Sequence, residues 1–293
     1  MTPPPGPLRV SRSVAGTRWS GNVLGVLARL VVVGVGATVI LGLAWIVVTS
    51  MKTNQELFAD VWRLPSSLHV ENYGNAWTIG GMGMAFANSV IATVGAAVSV
   101  VAIAAPAAYV LSRAEFPGRE ILINVIAAGM GIPAVLIFIP VYLLLSTVGF
   151  GDSLAGLGAV YVGVQMPFTV FILTGFFATL PVELEEAAII DGASEVGVFW
   201  RIMLPLARPG LLTAFIFNLI FLWKEFFWAL VLLRSRSGFT LGVALNSLRE
   251  SLAFNADWTG LFAAVVILMG PAVLAYLVLS RQFVRSITFG TGR

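Results

Sequence analysis

The chain has 293 residues, of which 58% are hydrophobic and only 11% are charged, and its mean hydropathy is +0.95. Because soluble domains carry about 25% charged residues, this composition excludes an ordinary water-soluble protein. It predicts an all-α protein that crosses a membrane several times. The formal charge of +3 comes from arginines scattered along loop flanks, without the basic stripe expected for a nucleic-acid partner.

Few residues in the chain can carry chemistry. Cysteine is absent and His69 is the single histidine, which excludes disulfides, thiolate metal sites and multi-histidine metal sites. We therefore predict no metal site and no catalytic residue, and His69 is interpreted as a solvated loop residue. Neither Lys52 nor Lys224 follows a glycine, so the GxxxxGK(S/T) loop that binds nucleotide phosphates is missing. If ATP drives this protein, another chain binds the ATP.

The N-terminal region, 1–25, opens with MTPPPGP and continues with a serine- and arginine-rich stretch that lacks apolar periodicity. It is predicted to be a disordered basic tail, and region 26–290 is predicted to be the transmembrane domain. The uncharged run from Leu30 to Met51 is longer than the apolar part of a typical secretory signal, and no A-x-A cleavage site closes it. This run is therefore predicted to be an uncleaved first span.

Six apolar stretches are long enough to cross a bilayer. A helix rises about 1.5 Å per residue, so a hydrocarbon core of about 30 Å takes roughly 20 apolar residues. The predicted spans are 28–50, 86–112, 121–148, 154–180, 211–233 and 258–280. With six spans, both termini lie on the same side of the membrane.

The basic residues are distributed unevenly between the two sides of this topology. One side holds eleven arginines, which are Arg9, Arg12, Arg18, Arg29, Arg113, Arg119, Arg201, Arg208, Arg281, Arg285 and Arg293. The other side holds five basic residues, which are Lys52, Arg63, Arg234, Arg236 and Arg249. The positive-inside rule therefore places both termini and the 181–210 loop in the cytoplasm.

The two longer segments on the opposite side, 51–85 and 234–257, carry or adjoin aromatic residues that favour the membrane interface. These residues are Trp62, Tyr73, Trp77 and Trp258. They fit a cap that faces an extracytoplasmic partner. Simple anchoring at the interface explains them equally well.

The 181–210 loop contains the densest cluster of carboxylates in the chain, within the stretch EEAAIIDGASEVGVFWRIMLPLARP. Pro181 fits a first helical turn, and the glutamates that follow it favour the positive end of the helix dipole. Gly192, directly after Asp191, is a natural left-handed stop for this helix. The loop is therefore predicted to begin with one short helix that ends at an Asp-Gly turn.

A second short helix is predicted after this turn. Ser194 is a possible N-cap, and Pro205 is predicted to end the helix because the residue before a proline is pushed out of the helical region. The alanines, aromatic residues and carboxylates of this helix pair suit docking into a groove of another protein. A helix pair that lies on the membrane surface is the alternative.

The spacing within the loop resembles the EAA loop of permease subunits in binding-protein-dependent ABC importers. The shared pattern is Glu186-Ala187-Ala188, three residues, Gly192, nine residues, Ile202, one residue and Leu204-Pro205. The fuller form EAAxxDGA is most similar to the carbohydrate-uptake branch of the maltose-permease type. Asn88-Ser89, the FPGRE of 116–120 and the WKEFFWAL of 223–230 extend the resemblance over roughly 25–290. Lys224, where that branch more often has a neutral residue, and the C-terminal ITFGTGR depart from it.

The resemblance implies a type I ABC importer permease fold with six transmembrane helices in a bacterial plasma membrane. It implies a second permease subunit, a cytoplasmic ATPase dimer that binds ATP and magnesium, and an extracytoplasmic solute-binding protein. This chain would have no cofactor of its own. The solute would be a sugar or oligosaccharide, and glycerol phosphate or another polar solute is the alternative.

The resemblance also implies roles for individual residues of the loop as a coupling helix. The residues expected to couple this chain to the ATPase are Glu186, Ala187, Ala188, Asp191, Gly192, Phe199 and Pro205. Glu186 would pair with a basic residue of the ATPase, and Ala187 and Ala188 would lie against the ATPase surface. Gly192 would make the turn.

The fifth predicted span contains two charged residues, Lys224 and Glu225, and charge at membrane depth usually faces a cavity or a partner. Together with Asn218 and Trp223 they are candidates for a sugar path. Alternatively, they mark a helix break near the outer interface that contacts the partner permease. Prolines that permit kinks in other spans are Pro133, Pro140, Pro167 and Pro271.

Two other classes of protein have to be weighed against a transport subunit. An ion-coupled secondary transporter commonly has internal repeats and buried acids, whereas Glu225 is the only acid in a predicted span and no convincing repeat is found. An integral membrane enzyme needs a cluster of acids, bases or metal ligands. The glutamates of 183–186 have no histidine or cysteine beside them.

Overall fold

The computed structural model describes residues 18–289 except 79 and 256, and helices are the only regular elements over these residues. The first helices are α1 (Arg18–Ser50), α2 (Asn54–Ala59), α3 (Glu71–Thr78), α4 (Met82–Arg113), α5 (Arg119–Gly129), α6 (Ala134–Thr147) and α7 (Leu154–Ala178). The others are α8 (Glu183–Ile190), α9 (Glu195–Val198), a π-helix (Phe199–Met203), α10 (Leu204–Leu206), α11 (Arg208–Lys224), α12 (Phe227–Leu232), α13 (Leu241–Asn255) and α14 (Trp258–Phe289). Most of the predicted tail, residues 1–17, and the C-terminal residues 290–293 lie outside the described residues.

The first helix begins earlier than the sequence predicted. Helix α1 starts at Arg18, so the part of the predicted tail from 18 to 25 is helical. Extending an existing helix is far easier than nucleating one, so a strong apolar span can carry the helix outward into polar sequence. The stretch Gly25–Ser50 has a mean hydropathy of 2.6, as expected for a membrane span. The described residues as far as Val48 form a unit of their own.

The second compact unit, 49–293, is built around the packing of α4 against α7. Small residues line the contact face of α4, and the buried ones include Ala92, Ala96, Ala97, Ala104 and Ala108. Small side chains allow two helix backbones to approach closely where lipid provides no hydrophobic driving force. The centre of the unit is therefore a tight helix pair, and α5 and α11 also pack against it.

The third predicted span is not one straight helix. It divides into α5 and α6, which meet at an angle of 101°. Pro133 sits at the break with extended backbone, at φ −64° and ψ 132°, and starts α6. Pro140, Pro167 and Pro271 lie inside continuous helices. Pro133 differs because glycines precede it in the sequence GMGIP, and glycine is the weakest helix former after proline.

Each of the six predicted apolar segments is helical over most of its length. Helices α1, α4 and α7 are each long and apolar enough to cross a membrane, and the pair α5 and α6 qualifies as one broken span. Helix α11 qualifies together with the helical segment Glu195–Leu206, from which it bends by 70°. The sixth segment is the apolar part of α14, Trp258–Leu274.

The two longer loops fold into short helices that are fastened to the spans. Asn88 near the start of α4 donates to the backbone oxygens of Ser237 at 2.8 Å and Phe239 at 3.0 Å. The neighbouring Ser89 hydroxyl accepts from the backbone nitrogen of Leu241 at 2.8 Å, which fixes the start of α13. Asn54 accepts from two backbone nitrogens in the first turn of α14. These bonds hold α13 at the end of the bundle, next to the end of α11.

Candidate functional site in the 181–210 loop and the fifth span

The first helix of the 181–210 loop is α8, and its local sequence explains both of its ends. Three glutamates lie in its first turn, where carboxylates favour the helix dipole. Gly192 follows it with φ 85°, a left-handed conformation that glycine adopts without strain. The backbone nitrogens of Gly192 and Ala193 donate to carbonyl oxygens of the last turn at 3.0 and 2.9 Å. The predicted helix and its glycine stop are confirmed.

The second helix of the loop begins as predicted but does not end as predicted. The Ser194 hydroxyl accepts from the backbone nitrogen of Gly197 at 3.2 Å and caps α9. Leu204 is helical at φ −63° and ψ −45°, so the prediction that Pro205 ends the helix is wrong. The π-helix ends here with Leu204 donating to Phe199, and Pro205 lies in the first turn of α10, where a missing N–H costs least. The chain stays helical as far as Leu206.

An ion pair that the sequence did not reveal ties the loop to the spans. The Glu185 carboxylate lies 2.7 Å from Nε of Arg113 in the last turn of α4, and both side chains are about seven-eighths buried. The Tyr109 hydroxyl donates to the same carboxylate at 3.1 Å, and Arg113 donates to the Leu180 carbonyl at 2.6 Å. The loop is therefore fastened to α4 through one inward glutamate.

The predicted coupling residues divide between two faces of the loop. Glu186, Ala187, Asp191 and Gly192 are exposed. Ala188 and Phe199 are buried within this chain at 8% and 6% exposure. Both side chains pack in this chain's own core, and the coupling role of these residues stays a prediction.

Phe199 packs the loop against the helix bundle. Its ring lies 5.1 Å from the ring of Tyr109 and 6.5 Å from that of Phe177. The next residue, Trp200, is 60% exposed. The outward face also carries large exposed apolar side chains, namely Ile189, Ile190 and Val196. A firmly held loop thus presents acids beside uncovered apolar groups.

The fifth predicted span breaks at its charged residues. Helix α11 ends at Lys224, Glu225 is extended at φ −67° and ψ 130°, and α12 follows. The Glu225 carboxylate accepts from the backbone nitrogen of Trp228 at 2.8 Å and from the Tyr161 hydroxyl at 2.9 Å. The part of the alternative interpretation that predicted a helix break here is confirmed. A contact with a partner permease stays a prediction.

Asn218 does not lie with the other candidate path residues. It is fully buried, and its side chain bonds to Thr169 at 2.9 Å, to Gln165 at 2.9 Å and to the Ala214 carbonyl at 2.8 Å. This network joins α11 to α7. Asn218 therefore links the two helices through its side-chain hydrogen bonds.

A cavity of about 620 Å³ lies beside the helix break and is lined by Trp223, Lys224 and Glu225. Its wall on the side of α13 includes Asn246 and Arg249, which sequence reasoning missed. Helix α13 was treated as part of an outer loop, and only the fold brings it against α11. The Trp223 indole donates to the Leu268 carbonyl of α14 at 3.1 Å, which fixes the ring in the cavity wall.

A second cavity, of about 990 Å³, lies between α6, α7 and α11, and Lys224 borders it as well. Its lining is mostly apolar, with Gln165 and Trp228 among the polar exceptions. The Trp228 indole nitrogen is buried and has no hydrogen-bond acceptor among the described residues. Lys224 therefore stands between two cavities that flank the break.

Over the described residues, no group of three or more His, Cys, Asp or Glu side chains is arranged to hold a metal ion. The polar groups around the break are a carboxylate, amides, a tryptophan, a lysine and an arginine. Such groups bind polar solutes through hydrogen bonds and stacking.

Comparisons with known proteins agree with this arrangement. The family model of the binding-protein-dependent transport system inner membrane component matches residues 100–289. The diacetylchitobiose uptake system permease protein NgcG of Streptomyces coelicolor is 37% identical over 255 residues, which cover 87% of this chain and 84% of that protein. The trehalose transport system permease protein SugB of Mycobacterium tuberculosis is 29% identical and covers 86% of this chain and 91% of that protein.

A solved structure has the same fold. A crystal structure of a bacterial ABC transporter involved in the import of the acidic polysaccharide alginate matches with a TM-score of 0.77 and 25% identity, over 91% of this chain and 98% of that chain. The all-helical architecture described above is thus that of a type I ABC importer permease. Because the family model covers well over half of the chain, this protein belongs to the inner-membrane components of binding-protein-dependent transport systems, which are transport subunits and not enzymes.

Proposed function

We propose that this chain is one permease subunit of an ABC importer that moves a sugar or oligosaccharide into a bacterial cytoplasm. A second permease completes the channel, a cytoplasmic ATPase dimer binds ATP and magnesium, and an extracytoplasmic binding protein delivers the solute. The names of the relatives, which include diacetylchitobiose and trehalose permeases, support a saccharide as the solute. A cavity of about 620 Å³ is within the usual size range of small-molecule sites.

The single observation that carries the coupling role is the outward face of the 181–210 loop. Glu185 and Phe199 hold the loop on the bundle, so a force on its exposed face is transmitted to α4 and α7. Glu186 stands on that face next to exposed Ile189 and Ile190, a combination suited to docking in a partner's groove. ATP-driven closure of the ATPase dimer would then move the spans and turn the cavity outward.

The solute path runs through the broken fifth span in this proposal. Trp223 can stack on the apolar face of a sugar ring, and Lys224, Asn246 and Arg249 can donate to hydroxyl oxygens. The alternative is that Lys224 and Glu225 contact the partner permease. Loss of uptake with retained ATPase stimulation in Trp223→Ala favours the path, and loss of both activities together favours the interface.

The test of the proposed function is transport by the complete complex. We would purify the chain in mild detergent with its co-expressed partners and reconstitute the complex in vesicles with the binding protein. We expect an ATPase and a second permease to copurify, and radiolabelled diacetylchitobiose or trehalose to accumulate only when ATP is present. A chain that purifies without a nucleotide-hydrolysing partner would overturn the proposal.

A second candidate solute is glycerol phosphate or another anion. Lys224 and Arg249 both line the cavity, both are exposed, and neither forms an ion pair over the described part of the chain. Competition by excess glycerol phosphate against labelled disaccharide distinguishes the two classes. Inhibition of uptake by glycerol phosphate alone favours the anion, and inhibition by unlabelled disaccharide alone favours the sugar.

A further inference from the structure

The Glu225 carboxylate is largely occupied by this chain's own groups. One oxygen accepts from the backbone nitrogen of Trp228 at 2.8 Å. The other accepts from the Tyr161 hydroxyl at 2.9 Å and more weakly from the backbone nitrogen of Ala229 at 3.4 Å. Two of these donors belong to the first turn of α12, and the third comes from α7. Although Glu225 borders the cavity, its oxygens are directed at α12 and α7.

A break inside a membrane span leaves backbone N–H groups without acceptors, and this carboxylate accepts hydrogen bonds from them. The first backbone nitrogens of α12 have no intrahelical acceptor, and unpaired N–H groups are costly where water is scarce. A negative charge also favours the positive end of the helix dipole. Glu225 thus stabilises the start of α12 at the position where α11 has ended.

The third donor extends this role from α12 to the bundle. Tyr161 is 1% exposed and packs in the core with Ala92, Ala96 and Trp228. Its side chain is not part of the wall of the cavity that Glu225 borders. The Tyr161 hydroxyl therefore acts on the break only through Glu225.

We propose that Glu225 is a positioning residue that, with Tyr161, clamps α12 to α7 and so holds the break in the geometry that presents Trp223 and Lys224 to the cavity. This inference rests on the proposed solute path. It assigns solute contact to Trp223 and Lys224 and assigns the shape of the site to the pair Tyr161 and Glu225.

The clamp predicts a specific kinetic effect. Without the tyrosine hydroxyl, a smaller fraction of transporters has the break in its binding geometry, and the apparent solute affinity falls by that fraction. Saturating solute restores the population, so the maximal rate changes little. The KM for uptake is therefore expected to rise about tenfold, which corresponds to about 1.4 kcal/mol.

The experiment measures uptake against solute concentration for complexes that carry Tyr161→Phe, Glu225→Gln and both changes together. The probe is the disaccharide that the wild-type complex transports, with uptake normalised to assembled complex. Tyr142→Phe is the matched control, because its hydroxyl bonds to Arg234 at the edge of the bundle instead of to Glu225. We expect a similar rise in KM for both single variants, no further rise for the double variant, and a wild-type KM for the control.

A second measurement does not depend on the solute. Hydrogen exchange of the backbone amides of Trp228 and Ala229, followed on a peptide that covers α12, is expected to be faster in Glu225→Gln and in Tyr161→Phe than in wild type. Unchanged exchange in both variants overturns the clamp. A raised KM in Glu225→Gln with a normal Tyr161→Phe also overturns it, because Glu225 would then bind solute directly. Failure of the wild-type complex to transport any saccharide counts against the proposed function, while the exchange result still tests the clamp.

Discussion

Two glutamates one position apart in α8 have opposite surroundings, and this difference defines what each can do. Glu185 points inward to Arg113 and Tyr109, whereas Glu186 is exposed. A carboxylate already paired within its own chain cannot pair with a partner. Of the two residues, Glu186 is therefore the one available to a basic group of the ATPase.

Replacing Glu186 by alanine is expected to abolish uptake while the protein still inserts into the membrane. Truncating one partner of a hydrogen-bonded charge pair that becomes buried at an interface costs about 2–5 kcal/mol. Uptake and ATPase copurification measure the effect. Glu183→Ala removes the same charge from the same exposed helical turn and is the control, expected to keep uptake near wild type. Normal uptake by Glu186→Ala would remove the coupling role.

Asp152 offers a test of pH dependence at a single residue. It accepts from the Ser235 hydroxyl and from the backbone nitrogens of Arg234 and Ser235, and these bonds hold the pKa of its carboxyl below the ordinary range. A lowered pKa means that the ionised form stabilises the fold at neutral pH, and that this contribution is lost as pH falls through the lowered pKa.

Asp152→Asn is therefore expected to lower the thermal midpoint of the detergent-purified protein at pH 7. Asparagine tolerates the left-handed backbone at this position, φ 50°, so the substitution changes mainly the charge. The difference from wild type should shrink below about pH 4, the ordinary range of an aspartate. An equal difference at both pH values would show that the charge contributes nothing.

Residue-scale features were predictable only where the cause is local. The left-handed Gly192 and the Ser194 cap follow from a few neighbouring residues, and both are present. The pairs Glu185 with Arg113 and Glu225 with Tyr161 join distant parts of the chain. No local spacing predicts such pairs, because the packing of α4, α7 and α11 creates them.

At the scale of elements, the turn at Gly192 determines whether the two helices of the loop can fold together. A proline there has φ near −65° and lacks the N–H that donates to Ile189 at 3.0 Å. Gly192→Pro is therefore expected to abolish uptake without preventing insertion. Gly192→Ala meets no atom within 4 Å and should lose uptake only in part, since its cost is about 1–2 kcal/mol of backbone strain.

Gly158→Ala serves as the control for these two variants. This glycine lies inside α7, and an added methyl group there also meets no atom within 4 Å. Alanine favours a helix more than glycine does, so uptake should be unchanged. Full uptake by Gly192→Pro would show that the turn does not transmit motion.

Prolines show why element boundaries were harder to predict than the elements themselves. Pro133 lies at a break and starts a helix, Pro140 and Pro167 lie inside continuous helices, and Pro205 is accommodated beside a π-helix. The same residue type gives three outcomes because neighbouring residues and packing decide whether the broken hydrogen bond can be replaced. The sequence showed six apolar segments but not which of them bend.

At the scale of the whole molecule, the absence of cysteine makes the topology directly testable. Single cysteines at the exposed positions Arg63 and Glu195 are predicted to lie on opposite sides of the membrane. In cells whose outer layers have been removed but whose plasma membrane is intact, a membrane-impermeant maleimide should label Arg63→Cys. It should label Glu195→Cys only after the membrane is permeabilised. Reversed labelling would invert the topology and place the loop away from any cytoplasmic ATPase.

Hydropathy predicted the apolar membrane-spanning segments because lipid imposes strict limits on length and polarity. Those constraints act on each segment separately. The position of α13 beside the break in the fifth span depends instead on contacts such as those of Asn88 and Ser89. The cavity that Arg249 lines therefore became visible only when the fold was known.

The π-helix Phe199–Met203 acts as a phase shift between the first helices of the 181–210 loop and the fifth span. Each residue of an ordinary helix turns the chain by about 100°, so a wider turn resets which side chains face the bundle. Deleting one residue there would convert the π-helix into an ordinary α-helix. Either Phe199 would then rotate away from the aromatic rings that it contacts, or α11 would rotate away from α7. The proposed coupling between the ATPase and the membrane spans is thus expected to depend on the length of this π-helix as well as on its composition.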